Sequence, residues 1–325
     1  MREYVPFMTH SRPLMLSPLQ HSANILHPSQ GLHDVLQRYD SLGPTPRFCF
    51  KLTCDEVTDH ISDRDRTIYE TSPDNLKKLF SDSFRLSLDT LSHKICLVRR
   101  TQGSALGGRG FTTEFISAGV RQKVIQRLEY FSDEQLLDMW AIFSKFGDAR
   151  GMTGPIFEAL VHRRFKRCIN LDATPMFQSN RANSRWHASF STKRPSSATI
   201  YGAAQQNFSL QVDVGMTHVY DTTTTLTIKP DIYYLPRSGQ QVALDSFILN
   251  GEYLNIFQCT GGQAHDIKGG IGDFLASCSG VPHRTKWRFL FVVPDDLDSF
   301  SCPASSDPVV KALGFYTSRI SMSMA

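Results

Sequence analysis

The chain has 325 residues, 41% of them hydrophobic, enough to bury a real core and to build about two domains. Its net charge of +4 is too small to mark a nucleic-acid binder by itself and permits one only where the positive residues cluster. No run approaches the roughly 18 apolar residues of a membrane span, and the seven cysteines show neither CxxC nor Cys/His ligand spacing, so reduced thiols are expected rather than disulfides or zinc.

Residues 1–30 carry prolines and histidines without a sustained period and read as an irregular arm. The opening MREYVPFMTH puts charge and proline where a secretory apolar stretch would lie, so an intracellular protein, nuclear or cytoplasmic, is expected. His10, His21, His27 and His33 are too irregularly spaced to place a ligand pair on one helix face. Gly31 to Tyr39 predicts a short helix stopped by Gly43-Pro44, and Arg47 to Thr53, RFCFKLT, predicts a strand. A helix opened by Pro73-Asp74 and a strand over Ser92 to Arg100 follow. The glycine-rich 101–110 lacks the Lys-Ser/Thr of a phosphate loop and reads as a surface loop.

Two helices are predicted over Ser117 to Tyr130 and Ser132 to Phe146, the second opened by a Ser132/Gln135 capping box. After Gly147-Asp148, GPIFEALVHRRFKR predicts a third, with proline in its first turn, where a missing N–H costs nothing. Glu158 sits one residue off its apolar stripe, and its end, including Arg163 and Arg164, is basic. Residues 170–200 are polar, with Trp186, Lys193 and Arg194, and read as a loop that could also track a nucleic-acid backbone. Phe208 to Val214 and Thr222 to Ile228 predict strands, and Pro230-Asp231 a strand-entry turn.

Between 242 and 268 lies the stretch with the clearest chemistry. Val242 to Leu249, carrying Asp245, and Tyr253 to Cys259 predict a hairpin turning at Asn250-Gly251. Gln258 and Thr260, two apart, share one face at the strand's end while Cys259 points away. Asp245, Gln258 and Thr260 are expected on the sheet face covered by the Glu158 helix. GGQAHDIKGGIGDFLASC predicts a glycine-loosened helix that sets His265 and Lys268 on one side, and Trp287 to Pro294 predicts a fully buried strand.

This order of elements resembles the restriction-endonuclease-like core of the PD-(D/E)XK superfamily. GPIFEALVHRRF, YYLPRSGQQVALDSFIL, YLNIFQCTGGQAHDIK and KWRFLFVVP resemble the C-terminal region of fungal Crinkler-type and RHS-type proteins, and PTPRFCF and LSHKICLVRR the tail of the P-loop NTPase module that precedes it there. The expected fold is α/β with a mixed sheet: an arm at 1–30, a helix-rich region at 31–148 and a restriction-endonuclease-like domain at 149–325. The resemblance implies a Mg²⁺-dependent nuclease acting on DNA, with Asp245 and Glu158 as acids. At the third-strand motif Gln258, Cys259 and Thr260 stand where an acid and a lysine would be, so Gln258 would ligate through its carbonyl and Cys259 through its main chain. Lys268 with His265 would supply the missing charge, and Arg163, Arg164, Lys193 and Arg194 would hold the nucleic acid. Two alternatives remain: a degenerate nuclease fold that binds nucleic acid or a host protein, and a fragment of a larger NTPase-containing effector.

Overall fold

The computed structural model describes residues 32–81, 94–101, 110–145, 150–179, 185–190, 198–199, 206–213, 215–221, 225–236, 244–267, 270–304, 308–311 and 313–323. The arm at 1–30 and most of the glycine-rich loop lie outside them. The chain forms two compact units that divide between Arg127 and Leu128, earlier than the expected boundary at 148.

The first unit contains helices α1 (Leu32–Leu42), α2 (Pro46–Phe50), α3 (Cys54–Glu70), α4 (Pro73–Ser81) and α5 (Ala118–Leu128), with strands β1 (Cys96–Thr101) and β2 (Gly110–Phe115) paired antiparallel. The strand expected over RFCFKLT is a helix instead. Pro46 fits its first turn without loss, and the helix buries Cys49 and Phe50 against Val35, which outweighs a weak β propensity.

The second unit is a mixed α/β body. It begins with α6 (Asp133–Phe143) and α7 (Arg150–Phe165). Ser132 and Gln135 cap α6 reciprocally, as the sequence predicts, a feature worth about 1 kcal/mol. Pro155 lies inside α7 rather than in its first turn, where it costs about 3 kcal/mol. The helix persists because Met152, Ile156, Phe157, Leu160, Val161 and Phe165 are buried, at about 1.5–3 kcal/mol for each large side chain.

The strands are β3 (Ile169–Pro175), β4 (Phe177–Ser179), β5 (Arg185–Ser189), β6 (Ala198–Thr199), β7 (Phe208–Val212), β8 (Met216–Tyr220), β9 (Ile232–Pro236), β10 (Ser246–Asn250), β11 (Tyr253–Cys259), β12 (Trp287–Pro294), β13 (Ser299–Pro303) and β14 (Gly314–Ile320). Short helices α8 (Ile271–Ser277) and α9 (Pro308–Lys311) follow β11 and β13. Eight strands form one sheet in the order β7-β3-β14-β12-β11-β10-β9-β8, and β13-β5-β4-β6 form a second. The region 170–200 thus contains strands rather than a plain loop, and Trp186 is a core residue against Phe315. In the expected strand Thr222 to Ile228, residues 222–224 lie outside the described residues and Thr227 makes only an isolated bridge to Ser279.

The central pairing is that of β11. It runs antiparallel to β10, with Asn250 opposite Tyr253, and parallel to β12, with Gln258 opposite Phe291. Gly251 takes a positive φ of 56° in the connecting turn, a conformation that favours glycine. Leu254 and Ile256 face Phe247, Phe289 and Phe291, a core that the second sheet covers through Trp186 and Phe300. On the other face Phe257 meets Phe165 of α7 at 4.9 Å between ring centroids. No helix among the described residues is long and apolar enough to cross a membrane.

Asp133 anchors α6 to α7, accepting from Arg163 Nη1 at 2.9 Å and Arg167 Nη1 at 2.5 Å. Partial burial pushes its carboxyl up, but Arg163 and Arg167 outweigh it and hold the group below the ordinary carboxylate range. A depressed folded value stabilises the fold at pH above the unfolded value of about 4 and loses that contribution as pH falls through the folded value. Asp133→Asn is expected to lower the Tm at pH 7 and to reduce the wild-type advantage toward zero in acid. Thermal melts of both proteins from pH 7 down to pH 2 check this; equal Tm values at pH 7 would contradict it.

Candidate functional site

The sequence places an acid and an amide opposite each other at the mouth of the β10–β11 hairpin, and the fold brings them into direct contact. Asp245 Oδ1 accepts from Gln258 Nε2 at 2.7 Å, and Asp245 Oδ2 accepts from the main-chain N–H of Cys259 at 2.6 Å. The Asp245 N–H donates to Phe257 O at 3.0 Å, so backbone and side chain are both tied to β11. With the carboxylate an obligate acceptor, the Gln258 amide has to turn its NH₂ toward it.

Asp245 and Gln258 are side by side, as expected. By strand alternation Gln258 falls with Leu254 and Ile256, whereas Cys259 falls with Phe257, which touches α7. Glu158 acts from that α7 side. Burial pushes the Cys259 thiol far up, and the negative charges of Asp245 and Glu158 add to it. A thiol so placed stays protonated at neutral pH and is neither nucleophile nor metal ligand.

Behind the carboxylates runs a buried chain of polar groups that the sequence did not announce. The Tyr233 hydroxyl donates to Ser246 Oγ at 2.8 Å, and His162 Nδ1 lies 2.5 Å from the same hydroxyl. His162 Nε2, on the other side of the ring, lies 3.5 Å from Glu158 Oε1 and is buried without a hydrogen-bond partner. Tyr233 and Ser246 are fully buried. Burial drives the Tyr233 phenol well up, with Cys259 adding to it against the opposing Ser246 bond, and Asp245 and Glu158 pushing it up further. The available signal was the i,i+4 spacing of Glu158 and His162 on one helix face.

The other expected residues are placed differently. Thr260 is buried, and its Oγ1 accepts from Gly262 N at 3.2 Å in a local turn. Gly261 follows where a Cβ would come within 2.8 Å of the Trp140 ring, so only glycine lets the chain pass α6. The helix expected from Gly261 onward begins at Ile271. Residues 263–265 instead pair with β13, His265 N donating to Ser301 O at 3.2 Å, so His265 is not on a helix face. Lys268, Lys193 and Arg194 lie outside the described residues.

Arg163 and Arg164 do not converge on Asp245, because backbone carbonyls and Asp133 occupy them. Arg163 Nη2 donates to Leu128 O at 3.0 Å and Glu129 O at 2.7 Å, besides its pair with Asp133. Arg164 donates to Ser321 O and, at 3.1 Å, to Ser323 O.

The expected Mg²⁺ ligand set of Asp245, Gln258, Cys259 and Glu158 fits that ion poorly. Magnesium wants hard oxygens in an octahedron, yet at Asp245 the protein presents two N–H donors, from Gln258 and Cys259. With its NH₂ on Asp245, Gln258 has its carbonyl oxygen turned away from that carboxylate. Among the described residues no three His, Cys, Asp or Glu side chains are grouped to hold a metal.

Tyr233→Phe removes the hydroxyl that serves His162 and Ser246, leaving two buried groups without a partner. A loss of about 1–3 kcal/mol is expected, read as a lower urea midpoint. An unchanged midpoint would show that this chain does not contribute to stability.

In comparison with known proteins, the chain matches no family model, no curated protein and no solved structure.

Proposed function

We propose that residues 128–325 are a restriction-endonuclease-like domain that binds nucleic acid without hydrolysing it through a metal. The order of elements supports the fold: α7 with Glu158, the meander β9-β10-β11, the short α8, then β12 parallel to β11. The resemblance to Crinkler-type and RHS-type C-terminal regions supports the ligand. One observation carries the absence of metal chemistry: both oxygens of the Asp245 carboxylate accept from N–H donors of the protein itself. A group so engaged holds the strand end together, and Gln258, which gives Asp245 its NH₂, turns away from it the carbonyl oxygen that a shared cation would need.

A second reading, a Mg²⁺-dependent nuclease, is favoured by one feature, the convergence of Glu158 and Asp245 on the Cys259 thiol. The two readings part on cleavage. The wild-type protein is expected to bind DNA or RNA with an affinity that falls steeply with salt, since each phosphate contact releases condensed counterions, and to leave plasmid and oligonucleotide uncut with Mg²⁺ or Mn²⁺. Metal-dependent cleavage by wild type, lost in Asp245→Ala, would overturn the proposal in favour of the nuclease.

Gln258→Glu provides a separate test of the metal fit. It sets a second carboxylate where an amide now donates at 2.7 Å, so stability is expected to fall by about 1–3 kcal/mol. Mg²⁺ should restore the Tm of this variant while leaving wild type unchanged. A Mg²⁺-induced rise in the wild-type Tm would mean that Asp245 already belongs to a metal site.

A further inference from the structure

On the sheet face that α7 covers, at the end remote from Asp245, one arginine is built into a setting unlike that of the arginines beside it on α7. Arg288, on β12, stands opposite Asn255 on β11 and Gly314 on β14. Its guanidinium carbon lies 3.5 Å from the ring centroid of Tyr253 and 4.0 Å from that of Phe208, so two aromatic rings flank the cation. Tyr316 closes one side by meeting the Phe208 ring edge-on at 4.9 Å. The guanidinium carries five N–H donors. Among the described residues no acceptor takes those N–H groups, in contrast to Arg163 and Arg164, whose donors are occupied.

A partly buried guanidinium flanked by two rings, with no acceptor on its N–H groups among the described residues, suits two oxygens of one anion such as a phosphate. Lys286 adds a second cation 5.0 Å from the Tyr253 ring, at present paired with Glu252 at 2.8 Å on the exposed hairpin turn. Aromatic faces beside cations are also the arrangement on which unpaired bases stack. We propose that Arg288 between Tyr253 and Phe208 is a phosphate receptor for single-stranded nucleic acid, the phosphate on the guanidinium edge and the adjoining base against Tyr253. The choice of ligand rests on the reading of this domain as a nucleic-acid binder. Arg288 stands about three residues or roughly 10 Å along the strands from the Gln258 level, and Tyr253 about five, which makes it a site separate from the Asp245 cluster.

The test uses the full chain and a fluorescent single-stranded oligonucleotide, with affinity measured over a range of salt. Arg288→Ala is expected to weaken binding about ten-fold or more and to flatten the log–log salt slope by about 0.7, the loss of one phosphate contact. Arg288→Lys keeps the charge without the fork and should recover only part of the affinity. Glu252→Gln, at an exposed position, frees Lys286 and is expected to tighten binding several-fold, a result that does not depend on whether Arg288 variants fold. With wild type, ultraviolet crosslinking of a bromouridine-substituted strand should label Tyr253 or Phe208. Wild type that binds no oligonucleotide would overturn the nucleic-acid reading of the domain itself. Wild type that binds, with unchanged affinity in Glu252→Gln and crosslinks elsewhere, would overturn the Arg288 receptor alone.

Discussion

The second unit depends on one constraint: β11 is covered on both faces, so every polar group it carries has to be satisfied within the protein. Leu254 and Ile256 are buried against the core shared with the second sheet, and Phe257 against Phe165. A hydrogen bond lost inside such a strand costs the full desolvation of the orphan group. Gln258 and the Cys259 N–H meet this demand through Asp245, and Thr260 meets it through Gly262. Asn255 meets it only in half, its Nδ2 bonding Tyr253 O while its Oδ1 stays buried without a donor. An acid at the hairpin mouth is therefore first a structural necessity for β11, and that is why its chemistry cannot be inferred from its presence.

What could be read from the sequence was what local rules decide. The bounds of β11 and β12, the Ser132 capping box and the juxtaposition of Asp245 with Gln258 follow from period, capping chemistry and hairpin register, none of which needs the rest of the fold. What could not be read depended on partners distant in sequence. RFCFKLT has strand-forming residues, yet the burial of Cys49 and Phe50 makes it helical. INLDATP alternates buried Leu171, Ala173 and Pro175 with exposed positions, a strand signal masked by the polar composition around it. The link from His162 to Tyr233 and Ser246 joins three segments and requires the rotational phase of α7, which no single stretch encodes.

The basic residues teach a related lesson about net charge. Arg38 donates to Leu52 O, Arg64 to Ser41 O and Arg127 to Thr71 O, and Arg163 and Arg164 likewise bond to main-chain carbonyls. An arginine whose fork closes a turn or a helix end is lost to any outside anion, so formal charge overstates what a ligand meets. Arg288 lies against aromatic rings instead, and among the described residues no acceptor takes its N–H groups.

The position of β14 governs how the body can assemble. The β7–β3 pair joins the rest of its sheet only through β14, which lies between β3 and β12. Thr174 and Thr317 meet there across a separation of 143 residues. Closing so long a loop comes before the contacts that reward it, which slows folding in proportion to such non-local pairing. During synthesis the β9–β11 meander can form before β14, but β3 and β7 must wait with an open strand edge until residues 314–320 have emerged. That interval is when the chain is most exposed to mispairing with its own copies.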